Sequence, residues 1–376
     1  MFSAPASIAF VVAMFVVATI PTMVTPLLVD VWREAFGWSE ADLGLVAALE
    51  LGGFACGAAS ALYWQKRWNW RPLAAGALVV MAGANAACAF VDTLDLMGTA
   101  RLLCGIGAGI ISGIHLAFVA NTRSPGRIIA IVTLCQLLTQ AAVFLLAEPI
   151  AEAVGTGGLY GLMAGSTALC LGFLQLLPKG WPPESVEEAE MGTGGVPFLL
   201  AFLPYGAFQS GVFAFFGLLG SSGAGLDAHQ ISKAIGISVF GSALGPIGAF
   251  VLDRRAGLML PIMASIVIQI VVVALLTMTR YEVWQFIVYI SVLQAGWAFL
   301  SCYLYIVLID AAPELTAASI PLTTLSGGIG AFGVGALLDA FGNKGMMIGS
   351  AAMLALIAVA ICPPLLRRVN GVAVET

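Results

Sequence analysis

Apolar runs of about twenty residues, cut by short charged or turn-rich breaks, fill nearly the whole chain. A bilayer-spanning helix needs about 20 apolar residues, since each adds roughly 1.5 Å of rise. The breaks define twelve such runs, at 5–29, 43–63, 72–91, 97–121, 128–149, 157–177, 196–220, 229–251, 258–279, 283–308, 316–338 and 344–365. Pro21 and Pro26 fall inside the first, where a membrane helix tolerates them with a kink. One break is long: 178–195 holds three prolines and four glutamates and reads as a solvated linker. It separates six runs in 1–177 from six in 196–376. The pattern predicts an all-α membrane protein of two six-helix bundles.

Composition agrees. Hydrophobic residues make up 60% of the chain and charged residues 9%, against about 25% charged in soluble domains. Neither half has the basic excess of a nucleic-acid binder. The seven cysteines lie in apolar runs without a CxxC pair, so they read as small core residues, with no disulfide or metal site. The first run lacks a basic n-region and reads as a span, not a cleaved signal. With the N-terminus inside, ten Lys and Arg fall in inner loops or the tail and three in outer loops. That bias places both termini in the cytoplasm. Seven of the eight tryptophans sit at predicted span ends, where interfacial belts lie; Trp297 is deep.

The halves echo each other. The basic turn 63–73 (YWQKRWNWRPL) follows the second run, and 251–261 (VLDRRAGLMLP) follows the eighth. Such matching marks internal repeats. With this layout the chain resembles the major facilitator superfamily over its whole length. Arg67, Asn69, Arg71 and Pro72 are similar to the end of that family's motif between spans two and three, with Lys66 where its aspartate would stand. The second-half copy has Asp253, Arg254 and Gly257. The fourth span carries the clearest match: Arg101, Gly105, Gly107 and Gly109. The Gly-Pro pair of the antiporters is replaced by Ala147-Glu148-Pro149-Ile150. The resemblance implies a secondary transporter, its two bundles related by a pseudo-twofold axis and alternating access around a midplane site. It assigns gating contacts to Arg67, Arg71, Asp253 and Arg254, and a coupling role to Arg101.

Ionisable groups inside spans are costly, roughly 2.5–3.5 kcal/mol each on insertion scales, and so point to function. Glu50 and Arg101 fall at comparable depth in the outer half of the first bundle, which predicts that they pair. The pair reads as a proton-coupling site or as an ion pair locking two helices. His115 lies mid-span and could take a proton or hold a solute. Gln136 and Gln140 in span five, Tyr205 and Gln209 in span seven, and Gln294, Trp297, Ser301 and Tyr305 in span ten carry amides, phenols and aromatic area suited to a small polar ligand. They read equally as interhelical hydrogen bonds. Lys233 is expected to snorkel towards the outer interface. With no nucleotide motif and no catalytic cluster, the chain reads as a transporter, not an enzyme. The expectation is proton-coupled uptake of a small polar or anionic solute by a monomer in a bacterial inner membrane, without cofactor. Export of a drug or metabolite is the alternative.

Overall fold

The computed structural model describes residues 4–123, 125–154, 156–180, 195–252, 257–278, 280–312 and 315–372. Eleven helices among them are long and apolar enough to cross a membrane, and Gly157–Leu171 is a shorter apolar helix in the sixth place. Twelve spans therefore run along the chain, in the order the apolar runs predict. They fall into two compact units: Met1–Trp38 with Leu45–Glu187, and Ser39–Gly44 with Glu188–Thr376.

The first unit is built from α1 (Pro5–Met23), α2 (Thr25–Phe36), α3 (Glu40–Trp64), α4 (Trp70–Cys88), α5 (Leu94–Ala120), α6 (Pro125–Val154) and α7 (Thr156–Leu171). The central helix is α5: 72% of its most apolar window is buried, against at most 44% in any other span. Trp70, Met81, Ile111, Ile114 and Phe118 form the core around it with Val11 and Met14 of α1.

The first span breaks at Val24, where φ is −109°, and continues as α2. Pro26 has no N–H for the Thr22 carbonyl one turn earlier. The Thr25 hydroxyl donates to that carbonyl at 2.9 Å instead. The kink thus keeps its backbone satisfied, as lipid demands.

The second unit holds α8 (Val196–Leu200), α9 (Phe202–Ala214), α10 (Phe216–Ala224), α11 (Ala228–Ser242), α12 (Leu244–Leu252), α13 (Met259–Met278), α14 (Val283–Ala311), α15 (Thr316–Phe341) and α16 (Asn343–Val372). Here α9 and α15 pack backbone to backbone. A Cβ on Gly330 would lie 2.0 Å from the Ala207 carbonyl oxygen. Asp339 near the end of α15 caps the first turn of α3, where Ser39–Gly44 group with this unit. Its carboxylate accepts from the Glu40 N–H at 3.0 Å and the Ala41 N–H at 2.7 Å. Two otherwise orphaned helix donors are satisfied, and a negative charge meets the positive end of the helix.

Internal repetition is visible in the backbone. Gly37 closes α2 at φ 65°, ψ 27°, and Gly225 closes α10 at φ 65°, ψ 28°. This left-handed turn is open to glycine at little cost. Each glycine is followed three residues later by the first residue of the next span, Glu40 or Ala228. Gly225 lies 188 positions after Gly37, the offset that also superimposes 251–261 on 63–73.

Several tryptophans depart from the interfacial expectation. Trp32 and Trp70 are fully buried and Trp64 nearly so, whereas Trp68 and Trp284 are exposed. The indole N–H of Trp32 donates to the Tyr160 hydroxyl at 2.6 Å, joining α2 to α7. That of Trp70 donates to the Gln65 carbonyl at 2.9 Å. A satisfied indole packs as core, so position at a span end does not by itself make a belt. Among the cysteines, Cys56 is exposed rather than in the core.

Candidate functional site

Helices α3 and α5 approach so closely that only glycine fits where they touch. A Cβ on Gly53 would lie 2.3 Å from the Leu102 carbonyl oxygen, and one on Gly57 2.2 Å from that of Ile106. From the other side, Gly105 would meet the Glu50 carbonyl oxygen at 2.0 Å and Gly109 that of Phe54 at 2.1 Å. Each helix thus presents two glycines one turn apart, the small-xxx-small pattern of close membrane packing. The sequence motif contained the α5 pair; the α3 pair, Gly53 and Gly57, was not singled out.

This interlock brings Glu50 to Arg101. Arg101 Nη2 donates to Glu50 Oε1 at 2.6 Å and Nε to Oε2 at 3.1 Å. Arg101 is 0% exposed and Glu50 3%. The remaining guanidinium nitrogen, Nη1, donates to Asn85 Oδ1 of α4 at 3.0 Å. Asn85 was not anticipated. Its signal was available: a lone amide in the apolar run of α4, at a depth the arginine can reach. A forked guanidinium–carboxylate pair with a third acceptor is geometrically specific. Glu50 is the one buried carboxylate among the described residues.

The second unit carries the same helix pairing without charge. The offset of 188 places Gly241 at Gly53, Gly245 at Gly57 and Ser238 at Glu50. Gly245 repeats the close approach: its Cβ would lie 2.2 Å from the Ala295 carbonyl oxygen of α14. Ser238 is fully buried, and its hydroxyl accepts from Gln294 Nε2 at 2.6 Å. A neutral hydrogen bond therefore occupies in α11–α14 the place that the ion pair occupies in α3–α5.

Other residues singled out from the sequence are spread through the two units. His115 lies flat on Phe15 of α1, ring centroids 4.1 Å apart and planes 5° apart. It is 3% exposed, and neither ring nitrogen has a hydrogen-bond partner among the described residues. Gln136 Nε2 donates to Thr19 Oγ1 at 3.1 Å, and Gln140 Nε2 to the Met23 carbonyl at 2.8 Å. Both amides thus tie α6 to α1. Their carbonyl ends remain able to accept.

In the second unit the Tyr205 hydroxyl donates to the Trp297 carbonyl at 3.1 Å. Trp297 is stacked on Phe216 and meets Phe208 and Phe213 edge-on. Ser301 turns back to the Ala298 carbonyl, and the Tyr305 hydroxyl accepts from Ser319. Gln209 is half-buried, and Lys233 is exposed, as a snorkelling side chain would be.

Of the gating candidates, Arg71 donates through Nε to the Leu177 carbonyl and through Nη2 to the Gln175 carbonyl, both at 2.6 Å. It fastens the start of α4 to the segment that leaves the sixth span. Arg67 sits 5.0 Å from the centre of the Tyr63 ring. Asp253 and Arg254 lie outside the described residues.

Comparison with known proteins bears on this arrangement as a whole. The family model described as Major Facilitator Superfamily matches residues 7–332. A search of curated proteins finds no match. Among solved structures, a bacterial homologue of the human lysosomal transporter Spinster, inward-facing and unoccupied, superimposes with a TM-score of 0.74 at 13% identity, over 97% of each chain. A point mutant of the nucleoside transporter NupG gives 0.74 at 14%, over 96% of this chain and 99% of that one. An auto-inhibited peptide transporter of the POT family gives 0.72 at 12%, over 98% and 97%. At these identities the likeness is one of fold.

Proposed function

Because the chain belongs to the major facilitator superfamily, we propose that this multi-pass membrane protein is a secondary active transporter carrying a small polar or anionic organic solute by alternating access, with uptake coupled to protons. One observation carries the coupling: the buried fork of Glu50 and Arg101, held with Asn85 where α3 and α5 interlock. Glu50 is an acid that can be neutralised, and Arg101 is a cation that must find another partner when it is. Protonation would weaken a pair that fastens two helices, and a bistable packing can convert that local change into movement of a bundle.

Solute contacts are assigned to His115, Gln136 and Gln140 in the first unit and to Gln209, Ser301 and Tyr305 in the second. Tyr205, Gln294 and Trp297, buried as His115 is, are assigned with them. His115 supports this reading best, since an imidazole with two unpartnered nitrogens can both donate and accept once a solute reaches it. Arg67, Arg71, Asp253 and Arg254 are assigned to gating on their sequence context.

Proteoliposomes test the reading. Counterflow of a labelled solute reports transport, and an imposed inward proton gradient reports coupling. Wild-type protein is expected to accumulate solute only with the gradient, and Glu50→Gln to retain counterflow while losing accumulation. Gradient-driven uptake by Glu50→Gln at the wild-type level overturns the coupling role. Accumulation driven by an outward gradient reverses the direction and establishes export.

A further inference from the structure

A groove of about 930 Å³ runs between α1 and α6, within the first unit. Its walls are apolar, formed by Val12 and Val16 of α1 and by Ile128 and Ile131 of α6. Its lining extends along α1 from Pro5 to Val17, a rise of about 18 Å. Half of a bilayer's hydrocarbon core is about 15 Å. At the Pro5 end the lining changes character: Arg123 and Arg127, both exposed, stand at the mouth. The groove plays no part in the ion-pair cluster, and a small polar solute would gain nothing from aliphatic walls of that length.

We propose that this groove binds an anionic phospholipid, one acyl chain lying along α1 and the headgroup phosphate held by Arg123 and Arg127. Three features fit that occupant together: depth matched to one leaflet, aliphatic walls, and two cations at the rim. The Lys and Arg bias puts this rim on the cytoplasmic side, where anionic lipid attracts basic residues near the surface. Two guanidinium groups four positions apart in sequence, both lining the same mouth, can share phosphate oxygens. A zwitterionic lipid offers the same chain but returns a positive charge to the rim. The ligand is thus selected by its head and retained by its tail.

Native mass spectrometry of the purified full chain in neutral detergent tests this, with added phosphatidylglycerol, phosphatidylcholine, or soluble glycerol phosphate. Phosphatidylglycerol is expected to remain bound at one copy, at least tenfold in excess over phosphatidylcholine. Arg123→Gln with Arg127→Gln should remove the preference between the lipids. Ala13→Trp, which fills the groove from an exposed position on α1, should remove the bound lipid while leaving both arginines in place. A thermal melt of each variant confirms that it is folded. Equal retention of the two lipids by wild type overturns the proposal, as does an unchanged preference in the double variant. Undiminished lipid in Ala13→Trp, or full competition by glycerol phosphate, overturns the acyl-chain part and with it the assignment.

Discussion

Arg101 and Glu50 meet as a two-pronged fork, 2.6 Å and 3.1 Å between paired atoms, with neither side chain more than a few per cent exposed. Removing one partner from such a pair leaves an uncompensated buried charge and costs about 3–5 kcal/mol, whereas replacing both by apolar residues is often neutral. Glu50→Gln is therefore expected to lower the unfolding temperature of detergent-purified protein markedly. The double variant Glu50→Leu, Arg101→Met should recover most of the loss and remain uncoupled in proteoliposomes. Recovery of both stability and gradient-driven uptake would show that the pair only fastens helices.

The glycine interlock makes a sharper prediction, because a neighbouring glycine serves as its control. Gly109→Ala puts a methyl carbon 2.1 Å from the Phe54 carbonyl oxygen, where backbone stands on both sides. Overpacking costs typically 1–3 kcal/mol, and a backbone clash belongs at or above the upper end. Gly52 has nothing within 4 Å of its Cβ position. Gly52→Ala is expected to be neutral or to stabilise by about 0.4–1 kcal/mol through the unfolded chain. Equal melting temperatures for the two variants would contradict the close approach of α3 and α5.

Asp339 offers a test of helix capping. It accepts from two backbone donors at the start of α3. Loss of such a cap costs about 1 kcal/mol. Asp339→Ala should show that loss, and Asp339→Asn a smaller one, since the amide oxygen still accepts but the charge opposite the helix end is gone. The Asn variant should also make the melting temperature less sensitive to salt at low ionic strength.

Alkaline pH should weaken the second unit through Tyr281, in the turn before α14. Its hydroxyl donates to the Leu219 carbonyl at 2.6 Å and its ring stacks on Phe286. Burial raises its pKa above the usual phenol value. Above about pH 10 the unfolded chain loses this proton while the folded chain keeps it. The unfolded state then binds fewer protons, so stability falls as pH rises, by at most about 1.4 kcal/mol per pH unit from this group. Tyr281→Phe should be less stable near neutrality and lose less between pH 9 and 11, read as the difference in melting temperature from wild type.

Legibility followed physical strength. Lipid leaves so few backbone arrangements that twelve apolar runs suffice to place the spans. An acid and a base at equal depth in such runs have few alternatives to meeting, and Glu50 and Arg101 do meet. The amides were harder. Gln136 and Gln140 share a face, but one-turn spacing serves a helix contact and a cavity wall equally well. That both also reach α1 is a tertiary fact that periodicity does not contain. Trp32 illustrates the same point: end position suggested a lipid interface, and Tyr160, distant in sequence, supplied a buried partner instead. Asn85 was passed over because a single amide carries little signal until the arginine it serves is located.

The unequal repeat has a quantitative consequence for the transport cycle. The two glycines of α3 recur at the same offset as Gly241 of α11 and Gly245 of α12, yet the position of Glu50 is taken by Ser238. A hydroxyl buried beside an amide carries no exchangeable charge at physiological pH. With one buried carboxylate among the described residues, the proposed coupling through Glu50 is expected to move one proton per solute. A neutral solute would then carry a single positive charge inward per turnover, and the logarithm of the largest accumulation ratio would be set by the proton-motive force taken once. Measured flux stoichiometry and reversal potential should both return that value.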